Sequence, residues 1–192
     1  MTTEKLKATD TVTSGLTCNT KASEDAKATG LFEIKCHDKD GNLKWEAQSK
    51  NLVVNVGLAY MAGSALTSVT AITTWYVGLY GAGSSNTPAA ADTMTSHAGW
   101  TEVVAYSNAT RVAATFVTAT TANPSVATNT ASPAVFNING TTTVGGAFLT
   151  SGSAKSGTAG TLFSAADFGS PGDRSVVNSD TLSVTYTFSL AG

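Results

Sequence analysis

The plainest hydrophobic pattern lies near the end of the chain, where Leu182, Val184, Tyr186, Phe188 and Leu190 alternate with Ser183, Thr185, Thr187 and Ser189. Successive strand side chains point to opposite faces, so residues 181–190 are predicted to form a strand with one face in a core and the other coated with hydroxyls. The same period returns in "LFEIKCH", which sets Phe32, Ile34 and Cys36 on one side. "DKDGN" then supplies Asp and Gly for a tight turn and "LKWEAQ" resumes the alternation, so these stretches predict a β-hairpin. Residues 74–80, 111–118, 134–138, 143–149, 161–168 and 175–177 also have strand character, set apart by clusters of Gly, Ser, Thr, Asn and Pro. Helical spacing occurs in "LVVNVGLAYMAGSAL", where Leu52, Val56, Ala59, Tyr60 and Gly63 recur on one face and Asn51 is the expected N-cap. About nine strands and one short helix predict a mainly all-β domain, a β-sandwich or jelly roll. No strict internal repeat interrupts this reading.

Residues 1–30 lack the pattern altogether. "MTTEKLKATDTVTSGLTCNTKASEDAKATG" has no aromatic residue and no apolar periodicity, so it buries too little surface alone to offset its ordering entropy. It is expected to be an extended N-terminal arm, with residues 31–192 forming the domain. Charge follows the same division. Eight of the nine lysines and eight of the thirteen acids fall in the first 50 residues. The remainder is rich in Ala, Thr, Ser and Gly, and its surface must be mostly hydroxyl and amide.

Composition narrows the function classes. A net charge of −2 with Arg111 and Arg174 as the only arginines provides no basic field, so nucleic acid is not expected as a partner. No apolar run approaches the roughly 20 residues that span a bilayer, and no membrane is expected. The first residues lack the apolar core of a secretory signal, which predicts assembly in a cytoplasm. Cys18 and Cys36 have no Cys-x-x-Cys spacing and read as free thiols serving as small apolar residues. With His37 and His97 they show no zinc spacing, and no cofactor is expected.

The candidate chemistry is concentrated in "ADTMTSHAGWTE", residues 91–102, which brings Asp92, Ser96, His97 and Glu102 close together in sequence. A hydrolytic triad gathers its members from separate elements, and no Gly-x-Ser-x-Gly elbow is present. Neighbouring Ser96 and His97 would also point apart. The structural reading is that Asp92 caps a single turn "TMTSH", Gly99 ends it and Trp100 enters the core. Asp38, Asp40 and Gly41 imitate part of a calcium loop, but its first and last ligand positions would be Cys36 and Ala47 and both flanks read as strands. "YGAGSSN" lacks the lysine of a phosphate loop, and Asp167, Asp173 and Asp180 read as turn residues. No enzymatic activity is therefore expected.

Several separated segments point to one family. "LFEIKCHDKDGNLKWEAQSKNLVVNVGLAYM", "TTWYVGLYG", "AADTMTSHAGWTEVVAYSNATR", "SPAVFNINGTTTVGGAFLTS", "AGTLFSAADF" and "DTLSVTYTFSL" together resemble small bacteriophage virion proteins described as head decoration or cement proteins. The resemblance covers residues 31–190 and lies in the joint order of the segments. It implies a structural protein on the outer surface of the phage head, bound to the major capsid protein, stabilising the capsid as a homo-oligomer, a dimer or trimer. On that reading the arm is the attachment device, with Lys5, Lys7, Thr11, Val12, Leu16, Lys21 and Lys27 as its capsid contacts. The same scaffold would also serve a phage tail or receptor-binding protein, with Trp75, Tyr76 and Tyr80 as its candidate aromatics.

Overall fold

The computed structural model describes residues 26–81, 87–168 and 172–192. Among them are twelve strands: β1 (Lys27–His37), β2 (Leu43–Lys50), β3 (Leu52–Val53), β4 (Trp75–Gly81), β5 (Glu102–Val103), β6 (Val112–Ala114), β7 (Ser125–Thr128), β8 (Ala134–Asn137), β9 (Thr142–Thr150), β10 (Leu162–Asp167), β11 (Arg174–Val176) and β12 (Thr181–Ala191). One helix, α1 (Asn55–Leu66), joins β3 to β4. The first antiparallel sheet runs β2–β1–β12–β7, with β8 also on β12. The second runs β3–β10–β9–β4–β5, with β11 on β9 and β6 on β4. The result is the all-β, sandwich-like fold that the alternation predicts. No helix among the described residues is long and apolar enough to cross a membrane.

The period-2 patterns become the two central strands of the first sheet. Phe32, Ile34 and Cys36 lie opposite Tyr186, Val184 and Leu182, and all six are buried. The hairpin turn works as its residues require. Asp38 Oδ1 accepts the N–H groups of Asp40 and Asn42, each at 2.9 Å, while Gly41 takes φ +83°, a left-handed conformation that favours glycine.

Three expectations are corrected. β1 begins at Lys27, so residues 27–30, assigned to the arm from sequence, belong to the sandwich. They carry no strand signal of their own, yet β12 offers them its main chain, pairing Lys27 with Ala191 and Gly30 with Phe188. A side chain at Gly30 would lie 2.5 Å from the Tyr186 hydroxyl. Next, α1 starts at Asn55 behind Val54, and Asn51 caps nothing; its amide donates to Tyr186 Oη at 2.7 Å. Leu52 and Val53 are drawn out of the predicted helix into β3 because β10 supplies an antiparallel partner there. Gly57, rather than the predicted apolar face, is the buried position of the helix. Finally, Trp100 and Tyr186 are buried as expected, whereas Phe188, on the same alternating face as Tyr186, is only half-buried.

Cys36 is a buried free thiol, and Cys18 lies outside the described residues. Burial, aided by the nearby Asp180 carboxylate, raises the Cys36 thiol from 9.0 to about 11. The unfolded thiol therefore loses its proton first, and native stability falls as pH rises between about 9 and about 11, by roughly 2 kcal/mol at the upper end. Denaturant midpoints at pH 8 and pH 10.5 should show this loss in the parent protein and a smaller one in Cys36→Ala.

Candidate functional site

The stretch with the densest candidate chemistry folds as a support for Trp100. Asp92 does not cap the turn that follows it. Its Oδ2 accepts the Ala89 N–H at 3.0 Å and the Trp100 indole N–H at 3.3 Å, because burial beside that ring leaves these as the donors to satisfy. The turn is held instead by Thr93, whose main-chain N–H donates to Ser96 O at 2.8 Å and whose Oγ1 accepts the Ser96 N–H at 3.0 Å. Gly99, at φ +94°, reverses the chain and delivers Trp100 between Tyr80 and Phe148, with ring centroids 5.1 Å away in each case. His97 stacks on Trp100 at 3.8 Å, with Nδ1 3.1 Å from the Trp100 carbonyl. The polar atoms of Asp92 and His97 are thus turned to Trp100 and the main chain rather than to one another.

Beside this support lies an ion pair that sequence reasoning missed. Arg111 is 2% exposed, although its chain neighbours on β6 are ordinary apolar residues. Its guanidinium grips Glu102 with both prongs, Nε to Oε1 at 2.8 Å and Nη2 to Oε2 at 2.7 Å. Nη1 and Nη2 also donate to the carbonyls of Gly152 and Gly157, both at 2.9 Å, and the group lies over the Phe148 ring. Glu102 Oε2 accepts the Ser156 N–H at 2.6 Å as well. The pair therefore ties the loop between β9 and β10 to β5 and β6. The signal was its isolation, for no charged residue occurs between Arg111 and Lys155, and a lone charge among apolar strands must find a partner inside.

Another opening among the described residues is of different character. A groove of about 530 Å³ is lined by residues of α1, of the paired strands β4 and β6, and of β12. Tyr60, Met61, Trp75, Phe116, Phe163 and Phe188 line it, and none of its lining residues is Asp, Glu, Lys, Arg or His. Trp75 stands edge-on to Tyr60 and Phe163, at 5.4 and 5.3 Å. Such walls can bury apolar groups. Trp75 and Tyr76, singled out from sequence as possible exposed aromatics, are half-buried, and Tyr80 is buried.

Of the residues expected to contact a capsid, Lys5, Lys7, Thr11, Val12, Leu16 and Lys21 lie outside the described residues. Lys27 is exposed at the first position of β1. Among the described residues, no group of three His, Cys, Asp or Glu side chains is placed to hold a metal ion. Compared with protein-family models, with curated proteins and with solved structures, the chain matches none.

Proposed function

We propose that this chain is a non-enzymatic structural protein of a bacteriophage virion, a decoration or cement protein that binds the major capsid protein lattice on the outside of the head. One observation carries the reading. The separated segments that resemble such proteins meet in a single buried cluster: Val54 from "KNLVVNVGL", Tyr80 from "TTWYVGLYG", Met94 and Trp100 from "DTMTSHAGW", Phe148 from "VGGAFLTS", and Leu162 and Ala165 from "AGTLFSAADF". What these segments contribute together is packing, so the likeness is one of scaffold.

The physics of a cement protein is compatible with the surface. The outward positions of β12 are Ser and Thr, and Thr187 shares a hydroxyl hydrogen bond with Thr128 of β7 at 2.9 Å. On the same face β1 sets Glu33 and Lys35 opposite Thr185 and Ser183, so such a surface meets a neighbour through shape, hydroxyl hydrogen bonds and a few charges of both signs. Modest contacts of this sort hold when repeated across a lattice. Lys27, fixed by pairing with Ala191, anchors the arm that we assign to attachment. Its lysines Lys5, Lys7, Lys21 and Lys27 are balanced by Glu4, Asp10, Glu24 and Asp25, so added main-chain pairing with the coat contributes more than net attraction.

The test is binding to undecorated heads. Removing residues 1–25, which leaves β1 whole, is expected to weaken binding at least about tenfold. Full occupancy by the shortened protein would overturn the assignment of the arm. Immunogold labelling is expected to mark heads, and label confined to tails would favour the tail or receptor-binding reading.

A further inference from the structure

We propose that Asn139 is a site of spontaneous covalent modification, at which the next main-chain nitrogen displaces the side-chain amide and leaves aspartate or isoaspartate in its place. The inference does not rest on the virion reading. Asparagine is a thermally labile residue, because its carboxamide carbon is open to attack by the nitrogen of the following peptide bond. The attack closes a five-membered ring. Glycine in the following position hinders it least, having no Cβ beside the attacking nitrogen. Asn139 and Gly140 form the single Asn-Gly pair in the sequence.

The fold leaves both reacting atoms uncommitted. Asn139 lies in the turn between β8 and β9, and it is exposed. Among the described residues its carboxamide has no hydrogen-bond partner, and neither has the N–H of Gly140. The space is open as well, for a Cβ built on Gly140 would meet only Ala105 Cβ, at 3.7 Å. The chain just before the pair is held. Ile138 N–H donates to the Asp180 carbonyl at 2.9 Å, and Asn139 N–H to that of Ala105 at 3.2 Å. One side of the pair is therefore anchored, and the glycine on the other side supplies the movement that ring closure needs.

Other asparagines outside the core lack one of these conditions. Asn178 is exposed, but the next residue is Ser179, which has a side chain and whose N–H is spent on the Ile138 carbonyl at 2.9 Å. Asn123 precedes Pro124, whose nitrogen has no proton to lose. Asn108 is held at both ends of its amide, Nδ2 donating to the Val135 carbonyl and Oδ1 accepting the Asn137 N–H, each at 3.1 Å.

The chemistry needs only water. The Gly140 nitrogen loses its proton and bonds to Asn139 Cγ, the Cγ–Nδ2 bond breaks, and Nδ2 leaves with a proton as ammonia. Water then opens the ring at one of two bonds. Cleavage of the new Cγ–N bond gives aspartate on an unchanged main chain. Cleavage of the original C–N bond gives isoaspartate, and the main chain then runs through Cβ and Cγ, one carbon longer, just ahead of β9. Either product adds one negative charge to the parent's net −2.

Purified full-length protein held in warm, mildly alkaline buffer should develop a species one charge more negative on isoelectric focusing. Peptide mapping should place the change at residue 139 as a mixture of aspartate and isoaspartate, the latter accepting methyl groups from an isoaspartyl methyltransferase. Gly140→Ala should lose the acidic species over the same incubation, and its ordinary contact with Ala105 leaves the fold intact. Asn139→Ser should lose it too. A parent protein that keeps its charge overturns the proposal, as does an acidic species that maps elsewhere and survives both variants. A rate in the folded protein far below that of the same chain in guanidinium chloride also overturns it, since the turn would then be holding the two atoms apart.

Discussion

Arg111→Met is expected to destabilise the fold by about 3–5 kcal/mol, the usual cost of removing one partner from a buried ion pair. The guanidinium lost is the two-pronged partner of Glu102, whose side chain is itself only 6% exposed. With arginine gone, the Glu102 carboxylate stays buried with the Ser156 N–H as its remaining described donor, and the carbonyls of Gly152 and Gly157 lose theirs. Glu102→Leu should cost a similar amount, because it strands the guanidinium instead. The double variant should recover a large share of the sum, since neither charge is then left alone in the interior. Denaturant unfolding of the two single variants and the double variant supplies the full cycle. Single-variant losses under about 1 kcal/mol would mean that water reaches the pair and that it does not lock the β9–β10 loop.

Gly146→Ala should have a comparable effect for a steric reason. Gly146 is in the middle of β9, and a Cβ there would lie 2.1 Å from the Tyr80 ring and 2.3 Å from the Ala166 carbonyl. The ring is held between Trp100 and the strand, and the carbonyl belongs to β10, paired directly alongside. Neither can retreat without moving a strand or the buried cluster around Trp100. The cost is expected to reach or exceed the upper end of the range for overpacked cores, about 3 kcal/mol. Gly140→Ala is the matched control, since its added carbon would meet only Ala105 Cβ at 3.7 Å, an ordinary contact. Thermal unfolding of the pair tests the idea. Equal melting temperatures would show that β9 and Tyr80 do not approach each other this closely.

Both predictions concern sites whose meaning arises between distant parts of the chain, and that marks the boundary of what the sequence could determine. The hairpin of β1 and β2, the long strand β12 and the burial of Trp100 were legible because their causes are local. Period-2 alternation specifies which side chains share a face, Asp and Gly specify where the chain turns, and Gly99 specifies a left-handed step before the tryptophan. The sandwich class followed from repeating that local pattern along the chain. Tertiary structure alone decided the start of β1 at Lys27 and the diversion of Leu52 and Val53 from helix to strand, since in each case a neighbouring strand supplied hydrogen-bond partners that no local pattern announces. It likewise decided that Arg111 turns inward to Glu102 and that Asp92 serves the Trp100 indole rather than the turn behind it. The same holds for Trp75, which ends half-open at a groove rather than closed in a core. Alternation states that a side chain faces one way. How much of it is covered, and by what, depends on residues far along the chain, because burial is a property of the packed sheets together.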